Sequence, residues 1–126
     1  DEIISAVKAR VADNFQDLRD YHLHVHCYGK NGVMGSLEPY GQPSHELGLV
    51  IEAVAPTQDI ADTICGFFRS TLLHYGYPGR KSTAGNLAFP YSPSDTSTGA
   101  VYKFNIYHLL EVDDPKSLFT ISIGEE

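Results

Sequence analysis

The spacing of apolar residues changes along the chain, and each spacing predicts a different element. In residues 3–18 apolar side chains recur every three or four positions, which predicts an amphipathic helix. In residues 21–28 they alternate with polar ones, which predicts a strand with one apolar and one polar face. Residues 46–55 are apolar at nearly every position, as in a central strand covered on both faces.

A second helix is predicted to follow directly. Thr57 is a good N-cap, Asp59 suits the positive end of the helix dipole, and Gly76 is typical of the residue after a helix. Gly66 lies in its middle, where glycine costs about 1 kcal/mol relative to alanine unless close packing requires it. The predicted buried stripe consists of Ile60, Ile64, Phe67, Phe68, Leu72 and Tyr75.

The rest of the chain is predicted to form a long loop and further strands. Glycine and proline interrupt residues 76–99, with a short strand predicted at 87–89. Residues 101–112 alternate with the period of a strand, and residues 118–123 are predicted to form a short last one. This order predicts an α+β fold: a two-layer sandwich with helices on one face of a mostly antiparallel, three- to four-stranded sheet.

Length and composition narrow the class of protein. We expect residues 1–126 to form a single α+β domain, or the C-terminal part of a longer protein because the first residue is not Met. The net charge of −7 argues against nucleic-acid binding and against docking on an anionic membrane. Cys27 and Cys65 each fall on an apolar face, which favours buried free thiols and a reducing, cytoplasmic location.

The first strand carries the most unusual chemistry. Its polar face carries His22, His24, His26 and Tyr28. Such a face could bind a ligand, hold a metal or contact another protein surface, and residue chemistry alone leaves the three alternatives open. Two of these imidazoles could converge on a metal with His45, Glu46 or Glu111. Since nothing in the sequence forces that convergence, we expect no metal and no cofactor, and treat the three histidines as lining residues.

Two polar loops are candidate anion sites. Lys30 and Asn31 lie in a glycine-rich loop, residues 29–35, whose amides and cation suit an anion, although a plain connecting turn has the same composition. A second set lies in residues 79–95 and could bind a carboxylate or phosphate, or cap turns instead. Its members are Arg80, Lys81, Asn86, Ser92, Ser94 and Asp95.

Four segments together resemble a known family. They are YGKNGVMG at 28–35, TLLHYGY at 71–77, GNLAFPYSPSD at 85–95 and IYHLLEVDDP at 106–115. They resemble the C-terminal region of acyclic terpene utilisation protein A (AtuA)-like proteins, over residues 21–119. The resemblance implies a role in bacterial breakdown of acyclic terpenoids through acyl-CoA intermediates, beside a separate N-terminal region. The resemblance assigns no catalytic residue to this chain.

Three functions follow as alternatives. The leading one is an accessory or ligand-binding domain of a bacterial catabolic protein, with a small anionic or acyl ligand. The second is an enzyme acting on a small carboxylate or acyl thioester, with residues 76–99 over the polar sheet face. The third is an oligomerisation or interaction domain, whose partner is a second copy of the chain or a missing N-terminal domain.

Overall fold

The computed structural model describes residues 1–42 and 44–124; Pro43, in the predicted loop 29–45, lies outside the described residues. Its helices are α1 (Glu2–Asn14) and α2 (Gln58–His74), and its strands are β1 (His22–Tyr28) and β2 (Gly48–Val54). Short 3₁₀ turns lie at Gly35–Leu37 and Pro115–Leu118. The predicted α+β class is confirmed. Among the described residues, however, the sheet has two strands and not three or four.

Local sequence accounts for the helix ends. The Thr57 hydroxyl accepts a hydrogen bond from the amide of Ile60 at 3.4 Å, so the predicted N-cap is confirmed. The first helix ends four residues earlier than predicted, because Phe15 leaves the helical conformation with φ −112° and ψ 31°. Leu18 then donates its amide to the Phe15 carbonyl at 2.9 Å, which closes a tight turn.

The hydrophobic core lies between the two helices and one face of the sheet. Its fully buried members come from the helices: Val7, Val11, Ile64, Phe68 and Leu72. The inward side chains of both strands pack against them but stay partly exposed: Leu23, Val25, Leu49, Ile51 and Ala53. A core of this size is small for a chain of 126 residues.

The two strands pair in antiparallel register, from His22 opposite Val54 to Tyr28 opposite Gly48. Helices cover only one side of this sheet. The prediction that the second strand is covered on both faces is therefore wrong: its outward residue Val50 is 45% exposed. The reason is that no second layer of the described chain lies over the histidine-bearing face.

The C-terminal third of the chain behaves in two different ways. Residues 76–97 are held against α2 by side-chain contacts. Arg69 of the helix pairs with Asp95, and Ser97 donates its hydroxyl proton to Gln58 Oε1 at 2.9 Å. Residues 101–111 are all exposed, and the strands predicted at 87–89, 101–112 and 118–123 do not form. A strand exists only when its amides and carbonyls meet a partner, and these segments meet none among the described residues. We call residues 100–124 the C-terminal arm.

Neither helix of the described chain is long and apolar enough to cross a membrane.

Candidate functional site

The polar face of the sheet is an ordered row of rings along β1. The ring centroids of His22 and His24 are 6.3 Å apart, those of His24 and His26 6.4 Å, and those of His26 and Tyr28 6.4 Å. From the neighbouring strand, Glu52 places Oε2 at 2.6 Å from His26 Nε2. The alternation in the sequence correctly predicted which side chains share this face.

The histidine row is arranged for stacking and not for convergence. Neighbouring imidazoles are nearly parallel, with interplanar angles of 24° and 26°. Ligands of one metal must instead point at a common centre about 2 Å away. Over residues 1–42 and 44–124, no group of three or more histidine, cysteine or carboxylate side chains is placed to hold a metal ion. The face is a flat row of aromatic rings with the Glu52 carboxylate beside His26. Such a flat surface suits contact with another protein surface.

The glycine-rich loop at 29–35 uses its own donors internally. The amides of Lys30, Asn31 and Gly32 all point to the Cys27 carbonyl, at 3.2, 3.1 and 2.9 Å. The Lys30 ammonium forms an ion pair with the Asp1 carboxylate. Gly32 is required by packing, since a Cβ there would lie 2.8 Å from the Tyr28 amide nitrogen. An anion at Lys30 and Asn31 would have to displace these partners, so the geometry lends that prediction no support.

Arg80 and Asn86 cap the C-terminal end of α2. The Arg80 guanidinium donates to the carbonyls of His74 and Tyr75, both at 2.6 Å. The Asn86 amide donates to the carbonyls of Leu72 at 2.9 Å and Tyr75 at 2.8 Å. The last carbonyls of a helix lack partners within the helix, and these two side chains supply them. The alternative in which these polar residues cap turns is therefore the one this structure favours.

The remaining candidates surround a shallow depression of about 500 Å³ beside α2, lined by Arg69 and residues 89–95. Arg69 lies against Asp95, with Nε 2.9 Å from Oδ1, and its guanidinium lies 5.9 Å from the Phe89 ring centroid. Ser94 donates its hydroxyl proton to Asp95 Oδ1 at 3.1 Å. Ser92 lines the same depression, whereas Lys81 is exposed and does not line it.

The sequence pattern did not identify Arg69 as a candidate site residue. It lies one residue after buried Phe68 on a predicted helix, where an arginine normally signals only a solvent-facing side. Its partner Asp95 is 26 residues away, so no local spacing links the two.

The two candidate loops do not form one site. A second depression of about 280 Å³ is lined by residues of the 29–44 region, including Lys30 and Tyr40. It shares no lining residue with the depression beside Arg69. Among the described residues the two loops therefore line separate depressions.

Both cysteines are free, as predicted. Cys27 is buried, and the Cys65 thiol donates to the Ile51 carbonyl at 3.9 Å. Burial raises the pKa of the Cys65 thiol above its ordinary value. Since the thiolate is the reactive form, this residue is poorly suited to act as a nucleophile.

No protein family model, curated protein or solved structure matches this chain.

Proposed function

We propose that this chain is an accessory domain of a bacterial catabolic protein and that its contribution is self-association. The resemblance to AtuA-like proteins suggests the setting, which is the breakdown of acyclic terpenoids through acyl-CoA intermediates in the reducing cytoplasm. On this proposal the chemical step belongs to another part of that machinery. The histidine-bearing sheet face and the C-terminal arm are the surfaces through which copies of the chain meet.

The observation that carries the proposal is the excess of exposed surface. The chain exposes 10910 Å². A compact monomer of 13.9 kDa exposes about 6,700 Å² by the usual scaling of surface with mass. The excess is therefore about 4,200 Å² for each chain, so two copies together have more than the roughly 2,000–5,000 Å² that permanent complexes bury in total at their interfaces.

Many of the most exposed apolar side chains lie in the arm. Tyr102 is 93% exposed, Leu109 92% and Ile123 92%. The arm carries eight further large apolar side chains more than half exposed: Val101, Phe104, Ile106, Tyr107, Leu110, Leu118, Phe119 and Ile121. Monomeric proteins rarely leave contiguous apolar surface beyond a few hundred Å² in water. Burial against another copy would remove this surface from solvent.

Ligand binding receives weaker support. The depression beside Arg69 offers an aromatic ring and hydroxyl groups, which suit a small acyl or carboxylate group. Its one cation, however, is already neutralised by Asp95. His26 is likewise paired with Glu52, and Arg80 with helix carbonyls. An enzymatic role would require groups that these contacts already occupy.

The test is the molar mass of the full chain in solution, by sedimentation or light scattering at tens of micromolar. We expect at least twice 13.9 kDa. A triple variant of the arm, Phe104→Ser, Ile106→Ser and Leu110→Ser, should shift the mass to that of one chain. These residues are 62–73% exposed, so the fold of a single copy does not depend on them.

The matched control removes equally exposed apolar groups from a different segment. Val33→Ser, Leu37→Ser and Tyr40→Ser change residues that are 76–83% exposed on the loop after β1. This variant should associate like the unaltered chain. A full chain that stays at 13.9 kDa at these concentrations would overturn the proposal, as would equal effects of the two triple variants.

A further inference from the structure

The outer edge of β2 is already covered. The Cys65 thiol on α2 donates to the Ile51 carbonyl at 3.9 Å. In an antiparallel strand the amide and carbonyl of one residue point to the same side, and successive residues alternate. Ile51 and Ala53 therefore direct their polar groups away from β1, towards α2. A strand added at this edge would therefore compete with α2 for the Ile51 carbonyl.

The outer edge of β1 is open. The Cys27 carbonyl accepts three amides from its own loop, which leaves it no lone pair for β2. By the same alternation, Leu23 and Val25 also direct their amides and carbonyls away from β2. Among the described residues, no backbone hydrogen bond outside the β1–β2 ladder involves either of them. This edge is a template for another strand, which folded proteins normally cover.

The arm has the pattern that this edge requires. In residues 101–112 one face is mainly apolar, with Tyr102, Phe104, Ile106 and Leu110. The opposite face is mixed and carries Lys103, Asn105 and Glu111 together with Val101, Tyr107 and Leu109. Beside β1, the apolar face would extend the layer of Leu23 and Val25 under the helices, and the mixed face would extend the histidine row.

The chain reaches the arm from α2, the helix that contacts β2. Just before the arm, Ser97 donates its hydroxyl proton to Gln58 Oε1, in the first turn of α2. That helix lies against the covered edge of β2, whereas the open edge belongs to β1. Residues 101–111 are all exposed and form no strand. A second copy offers the same open edge to this unpaired arm.

We propose that residues 101–112 of one copy add as a third strand to the outer edge of β1 in a second copy, reciprocally, to form a strand-exchanged dimer. This inference rests on the proposed self-association and names its geometry. Exchange in both directions closes the assembly at two copies, because each chain donates one arm and accepts one. Backbone hydrogen bonds at Leu23 and Val25 supply affinity, and the alternating side chains of the arm supply register.

The test is a set of engineered cysteine pairs in the full chain. His24→Cys marks the outward face of β1 and is combined in turn with Lys103→Cys, Asn105→Cys or Tyr107→Cys, on the mixed face of the arm. Directly opposed residues on one face have Cβ atoms about 5 Å apart, close to disulfide geometry. At least one pair should oxidise to a covalent dimer that reductant returns to monomer.

Two control pairs also place two engineered cysteines in the chain, but at positions that strand exchange would not bring together. His24→Cys with Phe104→Cys or Ile106→Cys pairs opposite faces and should not cross-link. Val50→Cys with the reactive arm position uses the same face one strand further away, about 9.5 Å at the spacing of strands, and should not cross-link either.

The outcomes separate this inference from the proposed function. If the chain associates but His24→Cys cross-links with no arm position, or equally with both faces, strand exchange is wrong while self-association stands. A disulfide formed within one chain would show that the arm closes on its own sheet, which also overturns the exchange. A chain that is monomeric and forms no intermolecular cross-link overturns both.

Discussion

Replacing Asn86 by aspartate should strongly destabilise the fold, although the two side chains have nearly the same shape. The Asn86 amide nitrogen donates to the carbonyls of Leu72 and Tyr75 at 2.9 and 2.8 Å. Its Oδ1 atom is buried without a hydrogen-bond partner. Asn86→Asp replaces the only two donors of this side chain by an oxygen that faces two carbonyl oxygens at the negative end of α2.

The magnitude follows from three contributions. Each lost hydrogen bond costs about 1 kcal/mol, and both are lost in Asn86→Asp and in Asn86→Ala alike. Placing a negative charge at a helix C-terminus adds about 1 kcal/mol. Partial burial of the carboxylate raises this further. We therefore expect a loss of about 2 kcal/mol for Asn86→Ala and about 3–4 kcal/mol for Asn86→Asp.

The assay is urea unfolding followed by circular dichroism at pH 7, with thermal unfolding alongside. A loss of 3 kcal/mol corresponds to a fall in Tm of about 12 °C for a chain of this size. Asn31→Asp is the matched control, because it introduces the same charge at an exposed position and should change stability by less than about 0.5 kcal/mol.

The pH dependence gives an independent check. The carbonyl-lined site raises the pKa of the introduced carboxyl above its value in the unfolded chain. The added penalty is then fully present above the folded-state pKa and disappears as the pH falls below the unfolded-state value. The stability of Asn86→Asp should therefore approach that of Asn86→Ala in acid. Equal stability of the two variants at pH 7 would refute the charge penalty at the helix end, and an unchanged stability of Asn86→Ala would refute the assignment of this side chain as the helix cap.

Further predictions concern the helix cap, two glycines and one thiol. Gly66→Ala should stabilise the fold by about 0.5–1 kcal/mol, because a Cβ there meets nothing within 4 Å; a loss would mean that hidden packing requires glycine. Gly32→Ala should instead cost about 1–3 kcal/mol in urea unfolding, because its Cβ would approach backbone at 2.8 Å. Thr57→Ala should cost about 1 kcal/mol through loss of the N-cap, measured the same way. Cys65 should react with iodoacetamide more slowly than a free thiol at pH 8, since burial raises its pKa; a rate equal to that of a model thiol would show an open site.

Parts of the candidate site were visible in the sequence, and parts were not. Alternation alone correctly predicted that His22, His24 and His26 share one face, because side-chain direction in a strand depends only on the backbone. Residue spacing could not predict that Arg80 and Asn86 cap the C-terminal end of α2. A polar residue in a loop has the same chemistry whether it faces a ligand or a helix end, and only the approach of the chain to α2 distinguishes them.

By itself the sequence determined both helices and both paired strands, because helix periodicity, an N-cap and strict alternation act over a few neighbouring residues. It also determined that residues 101–112 have the pattern of a strand. Only the tertiary structure decided that this segment finds no partner strand among the described residues, while one edge of the sheet stays open there. The physical reason is that a strand is completed by hydrogen bonds to a distant segment, and local spacing does not specify which segment, or which copy, supplies them.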